Sequence, residues 1–300
     1  MKKLIKLILL AVVLLITTTG CSTSTKSPEK LLTKPNYDEE KALLNSGISK
    51  VLYQNVNLIF PENLKESGKI NTGVLDEVAK HIKAGMSTAD IDKIVYDYTI
   101  AHGATPAPLG YGGFPKSVCT SINSEVCHGI PDENIILKEG DIVNVDVSTI
   151  KDGYFSDASR MFKIGKVSEA ADKITDVAKE CLEAGIKAVK PWGHLGDIGA
   201  AVQELAEKNG YSVVRAFGGH GIGLEFHEDP FVAHVGKKGQ GMVLVPGMIF
   251  TIEPMINEGE YDVYVDDVNE WTVYTADDSL SAQWEHQILV TEDGIEIITR

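Results

Sequence analysis

The sequence predicts a single α/β domain behind a short N-terminal leader, and three observations lead to that prediction. About 260 residues, 37–300, follow the leader and a linker, a size compatible with one α/β domain. Apolar and polar residues alternate in parts of the chain, as they do in β-strands. A helical pattern containing Val-Ala-Lys occurs in residues 76–92 and again in 176–199. The recurrence favours a duplicated half-domain, although Val-Ala-Lys is ordinary helix sequence and coincidence is the alternative.

Residues 1–20 have the composition of a secretory signal peptide. Three lysines among the first six residues precede ten apolar residues, 7–16, which are too few to span a bilayer of about 30 Å. A Gly-Cys junction follows and resembles a bacterial lipoprotein signal, although Thr18 departs from the leucine usual at that position. We expect an exported, membrane-anchored lipoprotein at the cell surface, lipidated at Cys21. The alternatives are an uncleaved short anchor, or a cytoplasmic protein whose signal is not used.

The rest of the chain divides by composition into a linker, an added helix and the main domain. Residues 21–36 are rich in Ser, Thr, Lys and Pro, residues 37–63 are predicted to form an N-terminal extension helix, and residues 64–300 form the main domain. Signal cleavage would remove three lysines and no acidic residue, changing the formal charge from −15 to −18. Such acidity argues against a nucleic-acid partner.

The cysteines do not predict a disulfide framework. If Cys21 carries a lipid, Cys119, Cys127 and Cys181 remain, an odd number without a C-x-x-C pair. A bridge between Cys119 and Cys127 is an alternative outside the cell, and it would alter the site segment that they flank.

Five potential metal ligands stand in short strand-like or glycine-rich segments. Four are carboxylates and one is an imidazole, so the set carries a charge of about minus four, which two divalent cations would neutralise. Such a pair leaves room for a bridging hydroxide as nucleophile, and the set therefore predicts a two-metal hydrolase. The candidate ligands are Asp146, Asp157, His220, Glu253 and Glu285.

Asp146 and Asp157 are predicted to lie on one face of a β-hairpin, because residues 142–148 alternate between apolar and polar side chains. A loop at 151–152 would place the two aspartates directly opposite each other, with Cβ atoms about 4.5–5.5 Å apart. That span suits two metals about 3.5–4 Å apart. A loop at 152–153 would make the pair diagonal on the same face. The alternative is a polar hairpin face with two solvated aspartates.

The other three candidates lie further along the chain. Glu253 closes the apolar run 248–253, where Pro254 marks the end of a strand. Glu285 lies near the start of an apolar strand, 282–290, and could instead form a buried salt bridge. His220 is flanked by glycines that would let the backbone approach a ligand closely, but it could also be a turn residue.

Eight short motifs between residues 110 and 286 follow one another in a specific order and spacing. They occupy residues 110–111, 114–119, 126–131, 140–146, 219–223, 226–228, 251–255 and 281–286. With them the stretch from about Leu64 to Arg300 resembles the type I methionine aminopeptidases of the pita-bread metallopeptidase family. The resemblance implies a catalytic domain of two duplicated half-domains related by a pseudo-twofold axis, with a curved antiparallel sheet and outer helices.

The resemblance also implies a role for each ligand. Asp157 and Glu285 would bridge two divalent ions, Asp146 would complete one ion, and His220 and Glu253 the other. The ions could be cobalt, manganese, iron(II) or zinc. The free α-amine of a peptide or protein substrate would bind at the ion held by Asp146, which limits cleavage to the first peptide bond.

Two histidines and a set of pocket residues complete the site implied by the resemblance. His128 and His227 would flank the scissile amide and stabilise the oxyanion, while Glu253 would pass a proton to the leaving amine. Pro108 and Gly112 depart from the cysteine and histidine that bacterial relatives often carry, which leaves the strictness of methionine preference open. The methionine pocket would be lined by Tyr111, Phe114, Cys119, Phe226 and Trp271; as an alternative, these are ordinary core residues.

The leading prediction is thus a metal-dependent methionine aminopeptidase that acts as a monomer on peptide or protein N-termini. One alternative is an Xaa-Pro aminopeptidase or dipeptidase of the same fold, but those relatives usually carry an additional N-terminal domain for which residues 37–63 are too short. Another is a catalytically inactive peptide-binding relative. The complete ligand set argues against it, since loss of catalysis gives no reason to retain these residues together.

Overall fold

The structure of the protein is a computed structural model that describes residues 62–300. Four α-helices of this region pack against antiparallel β-sheets. Side-chain caps start two of them: Ser87 Oγ accepts the backbone N–H of Asp90, and Ser168 Oγ accepts that of Ala171, which satisfies donors that a helix N-terminus leaves unpaired. The helices are α1 (Glu62–His81), α2 (Thr88–Ala101), α3 (Glu169–Ala188) and α4 (Leu195–Lys208).

The strands are mostly short and pair antiparallel within four sheets. The strands are β1 (Thr105–Pro106), β2 (Cys119–Ile122), β3 (Glu125–Cys127), β4 (Ile142–Lys151), β5 (Tyr154–Lys163), β6 (Ser212–Val213), β7 (Gly219–Gly221), β8 (Glu228–Val232), β9 (Ile249–Ile252), β10 (Met255–Asn257), β11 (Val263–Val265), β12 (Val273–Thr275), β13 (Ser281–Gln283), β14 (His286–Val290) and β15 (Ile295–Ile297). The first sheet has the order β1-β4-β2 with β5 also on β4, and the largest has the order β15-β14-β9-β7-β8. Two three-stranded sheets have the orders β13-β10-β6 and β11-β12-β3.

The fold confirms the predicted α/β class with duplicated halves. The two copies of the repeated sequence pattern lie on equivalent helix pairs, α1–α2 and α3–α4. The second helix of each pair follows a residue that forms an isolated β-bridge, Ser87 with Ile136 and His194 with Val243. Apolar side chains of α1 and α2 pack against β4, and those of α3 pack against β10 and β13. Each half therefore has its own helix-on-sheet core.

The β4–β5 hairpin decides between the two loops that the sequence allows. Lys151 pairs with Tyr154, so the loop is Asp152-Gly153, and Asp157 lies opposite Ser148. Both loop residues have positive φ angles, 51° and 85°; a two-residue turn of this kind matches the twist of the strands and suits Asp-Gly. Direct opposition of the two aspartates is therefore wrong, and the diagonal arrangement is confirmed.

The polar face of β4 is buried, so the alternative of a solvated hairpin face is wrong. Val143, Val145 and Val147 pack under α1 and α2, as the alternation predicts. On the other face Asn144 is only 3% exposed. Its Nδ2 donates to the carbonyl oxygen of Gln283 in the second half, so this polar face lies against the other half and not in solvent.

The apolar run 282–290 is two strands and not the one that we expected. β13 ends at Gln283 and pairs with β10, whereas β14 begins at His286 and pairs with β9 and β15. Glu285 lies in the break, where its backbone N–H donates to the carbonyl oxygen of Ser159. The residue is 1% exposed, so the change of sheet places a carboxyl group in the interior.

The predicted signal, the linker, Cys21 and most of the extension 37–63 lie outside the described residues. Within residues 62–300, none of the helices is long and apolar enough to cross a membrane. Cys119, Cys127 and Cys181 are buried and free, so the alternative of a bridge between the first two is not realised.

Candidate metal centre

One cavity of about 730 Å³ collects all twelve residues of the main domain that the sequence marks as site residues. They come from both halves of the fold, so their convergence depends on how the halves pack. The twelve are Tyr111, Phe114, Cys119, His128, Asp146, Asp157, His220, Phe226, His227, Glu253, Trp271 and Glu285.

The five candidate ligands lie close together in this cavity. Ligand atoms of Asp157, His220 and Glu285 all lie within 4.8 Å of one another. His220 Nε2 is 3.8 Å from Asp157 Oδ2 and 3.7 Å from Glu253 Oε1. Asp146 Oδ1 is buried without a hydrogen-bond partner among the described residues. A buried oxygen of this kind is costly unless a further group binds it.

A backbone carbonyl group of the next residue orients the imidazole of His220. Its Nδ1 lies 3.0 Å from the carbonyl oxygen of Gly221, to which it can donate. That bond leaves the lone pair on Nε2, the nitrogen that faces the carboxylates. Because His220 lies in strand β7, its interpretation as a turn residue is wrong.

The glycines beside His220 allow the backbones of the neighbouring strands to come close to β7. A Cβ atom on Gly219 would overlap the carbonyl oxygen of Thr251, and one on Gly221 would overlap that of Asp229. Both neighbouring strands can therefore approach β7 closely only because these residues lack side chains.

Hydroxyl and amide groups orient the carboxylates, and the sequence alone did not indicate them. Ser148 Oγ donates to Asp157 Oδ1 at 2.8 Å. Glu253 accepts on both oxygens, from Thr251 Oγ1 at 2.8 Å and from Gln283 Nε2 at 3.1 Å. The alternation of side chains in a strand offers a signal for Ser148, because it lies two residues from a candidate ligand and shares its face.

Burial dominates the electrostatics of the cluster. It raises the pKa of Asp146 to about 7 and that of Glu253 to about 8. Burial, reinforced by neighbouring carboxylates, raises the pKa of Asp157 and that of Glu285 well above the usual range. Within residues 62–300, the nitrogen base that faces Asp157 and Glu253 is the imidazole of His220, whose pKa is lowered by burial, and no lysine or arginine pairs with either carboxyl group. Divalent cations favour a donor set of carboxylates and one imidazole, so these residues fit a metal.

The two other histidines of the cavity are held in different ways. His128 has a φ of 58° and edge-on ring contacts with Phe217 and Trp271, at centroid distances of 5.7 and 6.4 Å. His227 lies with its ring centroid 4.2 Å from that of His220. Burial lowers the pKa of His128 and that of His227 to about 4, so both imidazoles are neutral near pH 7.

Aromatic rings form the apolar part of the cavity. Phe114 and Trp271 meet edge to face at a centroid distance of 5.1 Å, and Tyr111 meets Phe226 in the same way at 4.8 Å. Burial raises the pKa of the Cys119 thiol well above its usual range, which keeps it protonated. The predicted pocket residues thus present two pairs of rings and a neutral thiol to the cavity.

Three further lining residues, and Gly112 behind one of the pocket rings, bear on the shape of the pocket. Phe217 and Met255 line the cavity although the sequence alone did not indicate them, and so does Pro108, one of the two departures from the bacterial pattern. At the other departure, Gly112, a Cβ atom would lie 3.2 Å from the ring of Trp271. A side chain at position 112 would therefore press on a ring of the pocket.

Residues 62–292 match the model of the metallopeptidase family M24. The chain belongs to this family. Membership agrees with the buried cluster of carboxylates and His220, and together they indicate that the protein uses a divalent metal.

Similar proteins within family M24 include several methionine aminopeptidases. The chain is 53% identical to methionine aminopeptidase A of Synechocystis over 79% of its own length and 94% of that protein. The crystal structure of methionine aminopeptidase from Rickettsia prowazekii superposes with a TM-score of 0.78 at 47% identity, covering 79% of this chain and 95% of that one. The crystal structure of methionine aminopeptidase from Thermotoga maritima gives a TM-score of 0.78 at 40% identity, covering 80% and 98%.

Proposed function

We propose that this protein is a metal-dependent methionine aminopeptidase that removes the N-terminal methionine of peptides or proteins. The observation that carries the proposal is the convergence, in one cavity, of five ligand groups, two neutral histidines and a group of aromatic rings. A hydrolytic centre beside an apolar pocket fits a substrate whose first side chain is a thioether. The names of the similar proteins support the same activity.

The metal would be held by Asp146, Asp157, His220, Glu253 and Glu285, and the charge of the donor set suits two ions. When bound, the ions would supply Lewis-acid chemistry and lower the pKa of water, making a nucleophile available near pH 7. Cobalt, manganese, iron(II) and zinc all accept mixed carboxylate and imidazole ligands.

The other groups of the cavity would act directly on the substrate. His128 and His227 are neutral and can each donate one N–H to the carbonyl oxygen of the scissile bond, which becomes negative in the transition state. Glu253 would pass a proton to the leaving amine. Thr251 and Gln283 hold both of its oxygens in place.

The apolar wall would select the side chain of the first residue. Phe114, Trp271, Tyr111 and Phe226 present ring edges and faces, and sulfur packs favourably against the edges of aromatic rings. The protonated Cys119 adds a small apolar surface beside them. An unbranched thioether such as the methionine side chain suits this wall.

The test is to supply purified residues 21–300 with each of the four metals and with peptides that begin with Met, Leu or Xaa-Pro. We expect release of the first amino acid from the Met peptides and little release from the others. Cleavage confined to Xaa-Pro peptides would replace the proposal by the proline-specific alternative. Metal-loaded protein that binds these peptides but cleaves none would be an inactive binding relative.

We also propose that the chain is exported and tethered by a lipid on Cys21, so that its substrates are external peptides or exported proteins. The support is the charged, apolar and Gly-Cys sequence of residues 1–21. Palmitate labelling of cells that express the full chain tests this, with Cys21→Ser as the control. Labelling of the wild type alone is expected; no labelling of the wild type, or equal labelling of the two, would exclude the lipid anchor.

A further inference from the structure

A hydrogen bond joins His227 to Tyr111 of a neighbouring loop. Nδ1 of His227 lies 2.9 Å from the hydroxyl oxygen of Tyr111. The two rings are also in contact, with centroids 5.2 Å apart, and Phe226 packs against both at 4.8 and 4.4 Å. His128, by contrast, meets its neighbours through the edges of two aromatic rings. The two histidines of the cavity therefore differ in what fixes their orientation.

Tyr111 stands in a tight turn that places its hydroxyl. The turn is closed at its base, where the N–H of Gly110 donates to the carbonyl oxygen of Phe114 at 2.8 Å. Gly110, Gly112 and Gly113 have φ angles of 84°, 55° and 94°, a left-handed conformation that other residues rarely adopt. The side chain of Tyr111 is thus held by a shaped backbone and by two rings, although the residue is 45% exposed.

We propose that Tyr111 is a positioning residue that selects the tautomer of His227 as well as lining the pocket. The inference rests on the proposed function and adds to it. A phenolic hydroxyl can donate to Nδ1 of a neutral imidazole, and the ring proton then stays on Nε2. Nε2–H is the form that can donate to the oxygen of a scissile carbonyl. Without the hydroxyl, the ring proton can occupy either nitrogen. In the molecules that carry it on Nδ1, Nε2 is an acceptor and cannot donate to the carbonyl oxygen of the substrate.

The arrangement also links substrate choice to catalysis. The ring of Tyr111 lines the pocket for the first side chain, while its hydroxyl orients the histidine proposed to face the scissile bond. A substrate that fills the pocket packs against Tyr111 and favours the geometry in which His227 donates. Poorly fitting side chains would therefore lose turnover as well as affinity.

The first test is a double-mutant cycle on a Met peptide, with the full chain. Tyr111→Phe removes only the hydroxyl, and we expect kcat to fall about tenfold with KM changed less than about threefold. In a His227→Ala background the same change should have no further effect, because its target is gone. In a His128→Ala background it should keep its full effect. Tyr96→Phe, on the exposed face of α2, is the matched control.

The second test does not need activity. Nitrogen-15 spectra of the histidines in zinc-loaded protein distinguish a protonated from an unprotonated Nδ1, with His227 assigned from the His227→Ala spectrum. The wild type should show an unprotonated Nδ1 and a protonated Nε2. Tyr111→Phe should shift both signals towards the average of the two tautomers.

Each outcome decides the proposal. Equal losses from Tyr111→Phe in both histidine backgrounds, or identical His227 signals in wild type and variant, would overturn it. If the wild type cleaves no peptide, the proposed function fails, and the spectra still decide whether Tyr111 sets the tautomer.

Discussion

The acidic side chains of the site are removed from water, and this burial controls whether they are protonated. Asp157, Glu253 and Glu285 are 4%, 8% and 1% exposed, a condition that disfavours their charged forms. The hydrogen bond from Thr251 to Glu253 compensates only in part for the effect of burial on the pKa of Glu253. A bound cation would stabilise the charged forms that ligation requires.

The first prediction at this scale concerns Glu253. Glu253→Gln keeps the shape but removes a negative ligand and a proton carrier, so we expect kcat to fall by a factor of about 10² to 10⁴. Steady-state cleavage of a Met peptide measures it. Glu258→Gln, an exposed residue nearby in sequence, should leave the rate unchanged, and a near-normal rate for Glu253→Gln would contradict the role proposed for it.

Substitution of His128 tests the role proposed for this residue at the scissile carbonyl. His128→Ala removes one N–H proposed to reach the scissile carbonyl, and a loss of about 10² to 10³ in kcat is expected for a donor of this kind. Metal content, measured by mass spectrometry, should stay at the wild-type level because His128 is not a proposed ligand. His81→Ala on the surface is the control, and wild-type turnover of His128→Ala would refute the proposed role.

Elements of secondary structure set which residues can meet. The Asp152-Gly153 turn fixes the register of β4 and β5 and so the diagonal placement of Asp146 and Asp157. The break between β13 and β14 turns the chain from one sheet to another at Glu285. A turn in the first case, and a break between two strands in the second, thus places a carboxyl group in the site.

Gly219 and Gly223 lie in one glycine-rich segment but differ in the space around them. A Cβ atom on Gly219 would overlap the backbone of β9, whereas one on Gly223 would meet no atom within 4 Å. Gly219→Ala should therefore lower the free energy of unfolding by about 1–3 kcal/mol and displace His220, with loss of kcat. Gly223→Ala should change stability by less than about 0.5 kcal/mol. Urea unfolding of both variants measures the difference, and equal stabilities would show that β7 does not need close packing.

At the scale of the whole domain, two similar halves close over a polar interior. Each half buries its apolar side under its own helix pair. The polar face of β4 then meets the second half, as the bond from Asn144 to Gln283 shows. The site between the halves is thus both buried and acidic, which makes the stability of the domain depend on pH and on metal.

The sign of that dependence follows from the raised pKa values. Asp146 and Glu253 have pKa values of about 7 and 8 in the folded chain, against ordinary values of 3.8 and 4.5. The two carboxyl groups hold more protons in the folded, metal-free protein than in the unfolded chain between about pH 4 and pH 8. This contribution to stability is complete below about pH 4 and is lost as the pH rises through 7 and 8. The buried histidines act in the opposite direction below about pH 6.5, because their lowered pKa values leave them with fewer protons in the folded protein than in the unfolded chain.

We therefore expect the Tm of metal-free protein to fall by several degrees as the pH rises from about 6.5 to 8, a range in which the carboxyl groups lose protons and the buried histidines no longer oppose them. Added manganese or zinc should raise Tm more at pH 8 than at pH 5, because ligation needs ionised carboxylates. Glu253→Gln should show a shallower fall, since it removes one of the titrating groups. A metal-free Tm that rises steadily over this range would contradict the burial of the cluster.

Much of the site could be predicted from the sequence because ligand chemistry is carried by residue type. The five ligands, the histidines and the pocket residues all line one cavity, as motif order and spacing indicate. The hairpin could be predicted only as two alternatives, since alternation fixes the faces of a strand but not its turn. The sequence predicted Glu285 within one continuous strand because an apolar run carries no sign of a change of sheet.

The amino-acid sequence by itself determined the family, the α/β class with a repeated helix pair, the identity of the candidate ligands and the shared strand face of Asp146 and Asp157. These follow from residue type and from periods that act within a few residues. Only the tertiary structure decided that the polar face of β4 is buried, that hydroxyl and amide groups hold the carboxylates, and that Tyr111 reaches His227. Those contacts join residues that are separated in the chain, and they exist because the packing of the two halves brings distant backbone segments together.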